Sequence, residues 1–186
     1  MGRRARYCLI LLVVGMGSVR VSAAACGAIE AVRQHWDRTR DLLMLIIEAI
    51  PEDKYDFKPV PEVRSFREML HHMVTDTQTH IGYVAGRSRE ESEKFSEKYK
   101  DAKTRAELLQ GLKESFDYGT KVFADLKEQN ADDMVTEMRG ERVTRFLAAL
   151  DAFADPMDHY GNIVVYLRLN GIVPPRTASR QQPPPQ

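Results

Sequence analysis

The sequence predicts an all-α protein, a four-helix bundle with long connections between its helices. Apolar residues recur at helical spacing in four separate stretches, and capping-box pairs and helix stops bracket several of them. No segment alternates apolar and polar residues as a half-buried strand does, and no internal repeat is present. At 186 residues the chain suits one domain with a real core better than two. Four amphipathic helices joined this way leave an interior that can host side-chain ligands.

The first helix is expected over about Ala28 to Ile50, where Ile29, Val32, Trp36, Leu43, Ile46, Ile47 and Ile50 form one stripe and Pro51 ends it. His35 falls beside that stripe and reads as a surface residue. Pro51 to Glu62 contains three prolines with Tyr55 and Phe57, which predicts an extended connection pinned by its aromatic rings. Ser65 and Glu68 then form a capping box for a second helix from Phe66 to about Ala85, with Gly86 as its stop. Its buried face is Phe66, Met69, Leu70, Met73, Ile81 and Val84. Arg87 to Lys103 is polar and rich in both signs of charge, and reads as solvated loop with at most a turn of helix. Thr104 and Glu107 cap a third helix to about Gln129, with Leu108, Leu112, Phe116, Val122, Phe123 and Leu126 inward. The fourth spans about Arg142 to Leu169 with an interruption near Pro156. It is ended by Asn170-Gly171 and kept from continuing by Pro174-Pro175. From Arg176 onward the composition predicts a disordered tail over 176–186.

The N-terminus reads as a signal peptide over residues 1–25. Arg3, Arg4 and Arg6 precede an apolar run from Tyr7 to Met16, and the small residues Ser22-Ala23-Ala24-Ala25 follow. The run is too short for a stable membrane anchor. An exported chain of periplasmic or extracellular location is therefore expected, with the bundle over 26–175. The whole sequence balances 27 basic against 27 acidic residues. Cleavage removes Arg3, Arg4, Arg6 and Arg20 and no acid, leaving 23 against 27 and a formal charge of −4. An acidic chain offers no electrostatic footprint for nucleic acid. Cys26 is the one cysteine that would survive cleavage, so no internal disulfide is expected. Its place after Ala23-Ala24-Ala25 suggests a lipid anchor at Cys26, although Ala23 stands where lipoprotein signals carry a larger aliphatic residue. Cleavage near Ala23–Ala25 without lipidation is the other reading.

Chemistry is sought among five histidines, since there is no GxSxG elbow, phosphate loop, HExxH or zinc-finger spacing. Asp155 and His159 lie four apart, so a carboxylate and an imidazole project from one helix face and can act as two cis ligands. Ile163 and Tyr166 continue that face, which points it inward. A third ligand must come from another helix, and the second offers His71 and His72. His72 lies nearer the apolar stripe and is the better candidate; His80 also falls within the stripe. A lone inward histidine is more often a hydrogen-bonded core residue than a ligand. Asp155 also has a rival role, because an aspartate before proline is what the cap of a restarted helix looks like.

Two stretches carry a resemblance. Pro51 to His72, PEDKYDFKPVPEVRSFREMLHH, resembles the connection and second-helix start of DinB-like (DinB/YfiT-like) proteins, and His159 to Pro175, HYGNIVVYLRLNGIVPP, resembles the end of their fourth helix. With the order of helices, the resemblance covers nearly all of 28–175. It implies a four-helix bundle holding zinc, nickel or a similar ion on three histidines, one early in the second helix and two from an HxxxH in the fourth. Transferred to this sequence, those positions are His72, Asp155 and His159, so Asp155 departs from the pattern. An Asp/His/His set remains a workable divalent-metal site and also suits iron. The resemblance further implies pairing into a homodimer.

Two functions follow as expectations. The first is a metal-dependent enzyme, hydrolase or transferase-like, acting on a small-molecule substrate that the sequence does not identify. Export favours hydrolysis over thiol transfer, because reduced small thiols are cytoplasmic reagents. Tyr166 on the ligand face is the better placed polar neighbour, and Tyr160 is rotated away. The second is a non-catalytic exported bundle that binds a metal or ligand, or has lost its metal. An open coordination position facing a pocket of substrate size separates the two.

Overall fold

The computed structural model describes residues 22–181, with side chains from Gly27 onward. The expected signal peptide lies outside the described residues except for its last four, which stand at the start of helix α1 (Ser22–Glu48). The long helices that follow are α2 (Phe66–Val84), α4 (Arg105–Asp125) and α6 (Arg145–Leu169), with a shorter α3 (Arg89–Tyr99) between α2 and α4. Helix α2 packs on α3, α4 and α6, and α1 packs on α4 and α6. The four long helices thus close a ring in the order α1, α4, α2, α6 around one apolar core, an all-α bundle.

Each helix is held where its sequence signals place it. Ser65 accepts from the Glu68 amide while Glu68 accepts from the Ser65 amide, and Thr104 and Glu107 do the same for α4. Gly86 ends α2 with φ +75° and Gly171 follows α6 with φ +71°, a conformation that costs glycine nothing. The connection before α2 is pinned by rings. Tyr55 is fully buried and meets Phe66 edge-on at 5.0 Å, and Phe57 meets Tyr166 edge-on at 6.1 Å. Trp36 anchors the α1–α4 face. It stacks on Phe123 at 4.6 Å, and its indole N–H donates to Thr120 Oγ1 at 3.1 Å. Arg33 reaches across from α1 to the free carbonyls ending α4, donating to Phe123 at 3.0 Å and Ala124 at 3.2 Å. It supplies donors to the orphan acceptors that a helix C-terminus leaves.

Four expectations are corrected. The polar stretch after Gly86 folds as α3, opened by a Ser88–Glu91 capping box and docked by the buried Ser92 and Tyr99. Its apolar stripe is too thin to register as a periodic pattern, but S-x-x-E was in the sequence. The residues before α6 form a two-stranded antiparallel hairpin, β1 (Met134–Thr136) paired with β2 (Arg142–Thr144), with Gly140 at φ +79° in the turn. Strands of three residues cannot display an alternation. The third predicted helix stops at Asp125, and a single turn, α5 (Glu128–Ala131), follows it. The stretch after Pro174 starts not as disordered tail but as helix α7 (Pro175–Gln181). Proline at its first position gives up no bond, and the Pro174 carbonyl accepts from Thr177 at 2.8 Å and Ala178 at 3.0 Å.

One further difference bears on the site. Helix α6 runs unbroken through Pro156, which is buried inside it. Its N-cap is Thr144, whose hydroxyl accepts from the Leu147 amide at 3.2 Å. Asp155 therefore caps nothing. Packing on both flanks of α6 compensates for the one backbone bond that proline cannot make.

Candidate metal centre

The candidate centre lies where α2 faces α6. Along α2, His72, Asp76 and His80 follow one another at intervals of four, so their side chains share a face over about 12 Å of helix. Along α6, Asp155 and His159 do the same. The two helices run in opposite senses here, so that His72 meets His159 while His80 meets Asp155.

His159 is the deepest member, with 7% of its surface exposed. Its ring stands perpendicular to that of His72, with centroids 5.0 Å apart. Ligand atoms of His72, Asp76 and His159 all lie within 4.8 Å of one another, and so do those of Asp76, His80 and Asp155. The Asp/His/His composition expected from sequence is therefore assembled, and its carboxylate in the first group is Asp76 of α2. Asp155 falls in the second group, although its Oδ1 lies 3.8 Å from His159 Nε2.

The spacings suit a cation better than hydrogen bonds. His72 Nε2 and Asp76 Oδ2 are 3.8 Å apart, and His80 Nε2 and the same Oδ2 are 3.6 Å apart. Those gaps exceed a hydrogen bond, which needs about 3.2 Å or less. An ion about 2.0–2.2 Å from each of two tetrahedral donors holds them about 3.3–3.6 Å apart, so small side-chain movements suffice. His159 Nε2 and Asp155 Oδ2 are also buried without any partner in the protein. An orphaned buried imidazole nitrogen and carboxylate oxygen are costly unless something fills the space between them. The residues present fit a divalent cation.

Electrostatics point the same way. Burial pushes the Asp155 carboxyl above its ordinary range, and the nearby Asp76 carboxylate pushes it further, while His80 and His159 partly oppose the shift. Burial lowers the His72 imidazole, against the pull of Asp76, and the Arg64 charge adds to the lowering. A neutral imidazole is the form that ligates metal.

The other candidates are accounted for locally. His71 turns away, and its Nε2 donates to the carbonyls of Tyr99 at 3.0 Å and Lys100 at 3.1 Å, closing the end of α3. His35 is exposed and lies against Phe153. The Tyr166 hydroxyl donates to the Arg64 carbonyl and so ties the connection before α2 to α6. Asp76 was missed by sequence reasoning. The signal existed, since H-x3-D-x3-H on α2 obeys the same four-residue rule that singled out Asp155 and His159.

Clefts reach the cluster from outside. One of about 740 Å³ is lined by Arg64, Met69, Asp158, His159, Asn162 and Tyr166 among others. Another of about 400 Å³ reaches Asp76 beside Thr75, Thr79 and Tyr83. His72 and Asp76 keep 28% and 19% of their side-chain surface exposed, so the centre is open on one side and buried at His159.

A helical bundle with a His/Asp cluster able to coordinate a divalent metal is the class that fold and site define. The sequence model of the DinB family matches residues 28–185, and the chain belongs to that family. Solved structures agree on the fold. A DinB-like protein from Bacillus subtilis is 20% identical with a TM-score of 0.58, covering 76% of this chain and 92% of that one. A structure assigned to the DinB family from Exiguobacterium sibiricum is 20% identical with a TM-score of 0.61, covering 77% and 92%. A conserved protein from Enterococcus faecalis is 18% identical with a TM-score of 0.60, covering 75% and 95%. Among curated proteins none matches.

Proposed function

We propose that this chain is an exported, metal-dependent enzyme of hydrolytic type, its divalent cation held by His72, Asp76 and His159. The observation that carries the reading is His159 Nε2, buried and without a partner, facing an imidazole and carboxylates supplied by two helices. When bound, a divalent cation supplies Lewis acidity to a polar substrate group. His72 and His159 contribute nitrogen donors, and Asp76 offsets the positive charge. The packed α2–α6 interface keeps the three from drifting apart. Nickel, zinc and iron all accept this donor set.

The open side supports catalysis over storage. A sealed centre would have no room for a reactant, whereas the larger cleft brings Arg64, Asp158 and Asn162 to the edge of His159. Asn162 Nδ2 donates to Asp158 Oδ2 at 3.3 Å, which orients that pair along the cleft wall. Such a cleft, mostly apolar with a few polar groups, suits a small molecule. Export rests on Arg3, Arg4 and Arg6, the apolar run behind them and the small residues before Cys26.

Both parts are testable. The full chain purified without added metal should carry stoichiometric zinc, nickel or iron, and His159→Ala should lose the equivalent held at His159. Hydrolysis of chromogenic carboxylic and phosphate esters should fall at least a hundredfold in the same variant. Equal trace metal in the two proteins overturns the metal reading, and metal without any turnover overturns the enzymatic one. N-terminal sequencing should find the secreted or membrane-associated chain starting between Ala23 and Cys26. A chain retaining Met1 in the cytoplasm overturns export.

A further inference from the structure

Five donors face one another across α2 and α6, which is more than one cation of the proposed kind requires. Their ligand atoms divide into two sets, His72, Asp76 and His159 in one and Asp76, His80 and Asp155 in the other, with Asp76 common to both. The sharing is visible at one atom. Asp76 Oδ2 lies 3.8 Å from His72 Nε2 on one side and 3.6 Å from His80 Nε2 on the other.

The geometry points to a second divalent-cation position at Asp76, His80 and Asp155, with Asp76 bridging it to the first. Asp155 adds a further observation, although its Oδ1 also lies 3.8 Å from His159 Nε2 of the first set. Its Oδ2 is buried with no partner, and no lysine or arginine pairs with its carboxylate among the described residues. Two carboxylates held side by side need a positive charge or a proton between them. His80 is the near nitrogen donor, and its 22% side-chain exposure leaves the position open to exchange with solvent. The smaller cleft, which reaches Asp76, gives an entry path. Two carboxylates and one imidazole form a harder set than two imidazoles and one carboxylate. The second position should accordingly favour manganese or iron, where the first favours zinc. Held by Asp76, His80 and Asp155 beside the first, a second cation would supply charge stabilisation for the attacking and leaving oxygens of acyl or phosphoryl transfer, which narrows the substrates of the proposed hydrolysis to esters of that kind.

The inference goes beyond the proposed function and shares only Asp76 with it, so the two can fail separately. The test is equilibrium binding of Mn²⁺ and of Zn²⁺ to the metal-stripped full chain, counted by elemental analysis after desalting and, for Mn²⁺, by electron paramagnetic resonance. Two equivalents are expected in the parent chain, with the Mn²⁺ signal broadened by coupling between the ions. His80→Ala should retain one equivalent with an uncoupled signal, and so should His159→Ala. Asp76→Asn should weaken both equivalents at least tenfold. Circular dichroism checks that each variant is folded, and the milder His80→Gln replaces His80→Ala if it is not. One equivalent in the parent chain, unchanged in the His80 variant, overturns the second position and leaves the first standing. No binding at all overturns both. Two equivalents that survive Asp76→Asn with unchanged affinity overturn the bridge.

Discussion

His159 condenses the problem into one side chain. It is nearly inaccessible, and the protein supplies no hydrogen-bond partner for its Nε2. In a protein selected for stability alone, leucine would serve better there, because an unsatisfied buried polar atom costs about 1–3 kcal/mol. His159→Leu should therefore leave the metal-free protein as stable as the parent, or more stable by about 1 kcal/mol. Zinc should then separate the two proteins. At a hundredfold excess over its Kd a ligand adds about 2.7 kcal/mol, or a rise in Tm of about 5–10 °C for a domain of this size. The parent should show that rise in full, and His159→Leu a clearly smaller one. A leucine variant that is several kcal/mol less stable without metal would make His159 a packing residue. Asp155 and His159 were visible as a pair because a four-residue spacing on one helix is local. Asp76 obeyed the same spacing, but without the structure nothing said that its face of α2 opposes Asp155.

At the scale of elements, fit between helices outweighs helix propensity. Gly119 lies in the middle of α4, where alanine would ordinarily gain about 1 kcal/mol. A Cβ there would stand 2.1 Å from Trp36 Cζ2 and 2.8 Å from Ile81 Cδ1. The clash should win, because the indole is clamped between Phe123 and the hydrogen bond to Thr120. Gly119→Ala should cost about 1–3 kcal/mol, read as a lower urea midpoint with unchanged slope. A neutral or stabilising result would show that α1 and α4 can move apart freely. Helices α1, α2 and α4 were legible from periodicity and caps because those signals act within a turn or two. Helix α3 and the hairpin escaped for opposite reasons. Few of the α3 residues are buried, and the strands are too short to carry a pattern.

At the scale of the whole molecule, the apolar side chains of all the long helices join in one cluster, and Trp36, the only tryptophan, sits inside it. Unfolding should therefore be a single transition. Urea curves followed by Trp36 fluorescence and by far-ultraviolet circular dichroism should coincide within error. Separated curves would mean that the α1–α4 face opens independently of the α2–α6 face that carries the His/Asp cluster.

Helix existence, caps, most of the core and the choice of His72 and His159 depend on contacts within a few residues along the chain, and the amino-acid sequence alone determined them. The continuous path of α6 through Pro156, the partner of each histidine and the part played by Asp76 depend on how α2 is rotated and set against α6. That rotation is decided by the packing of every helix at once, so only the tertiary structure could bring one carboxylate between two imidazoles.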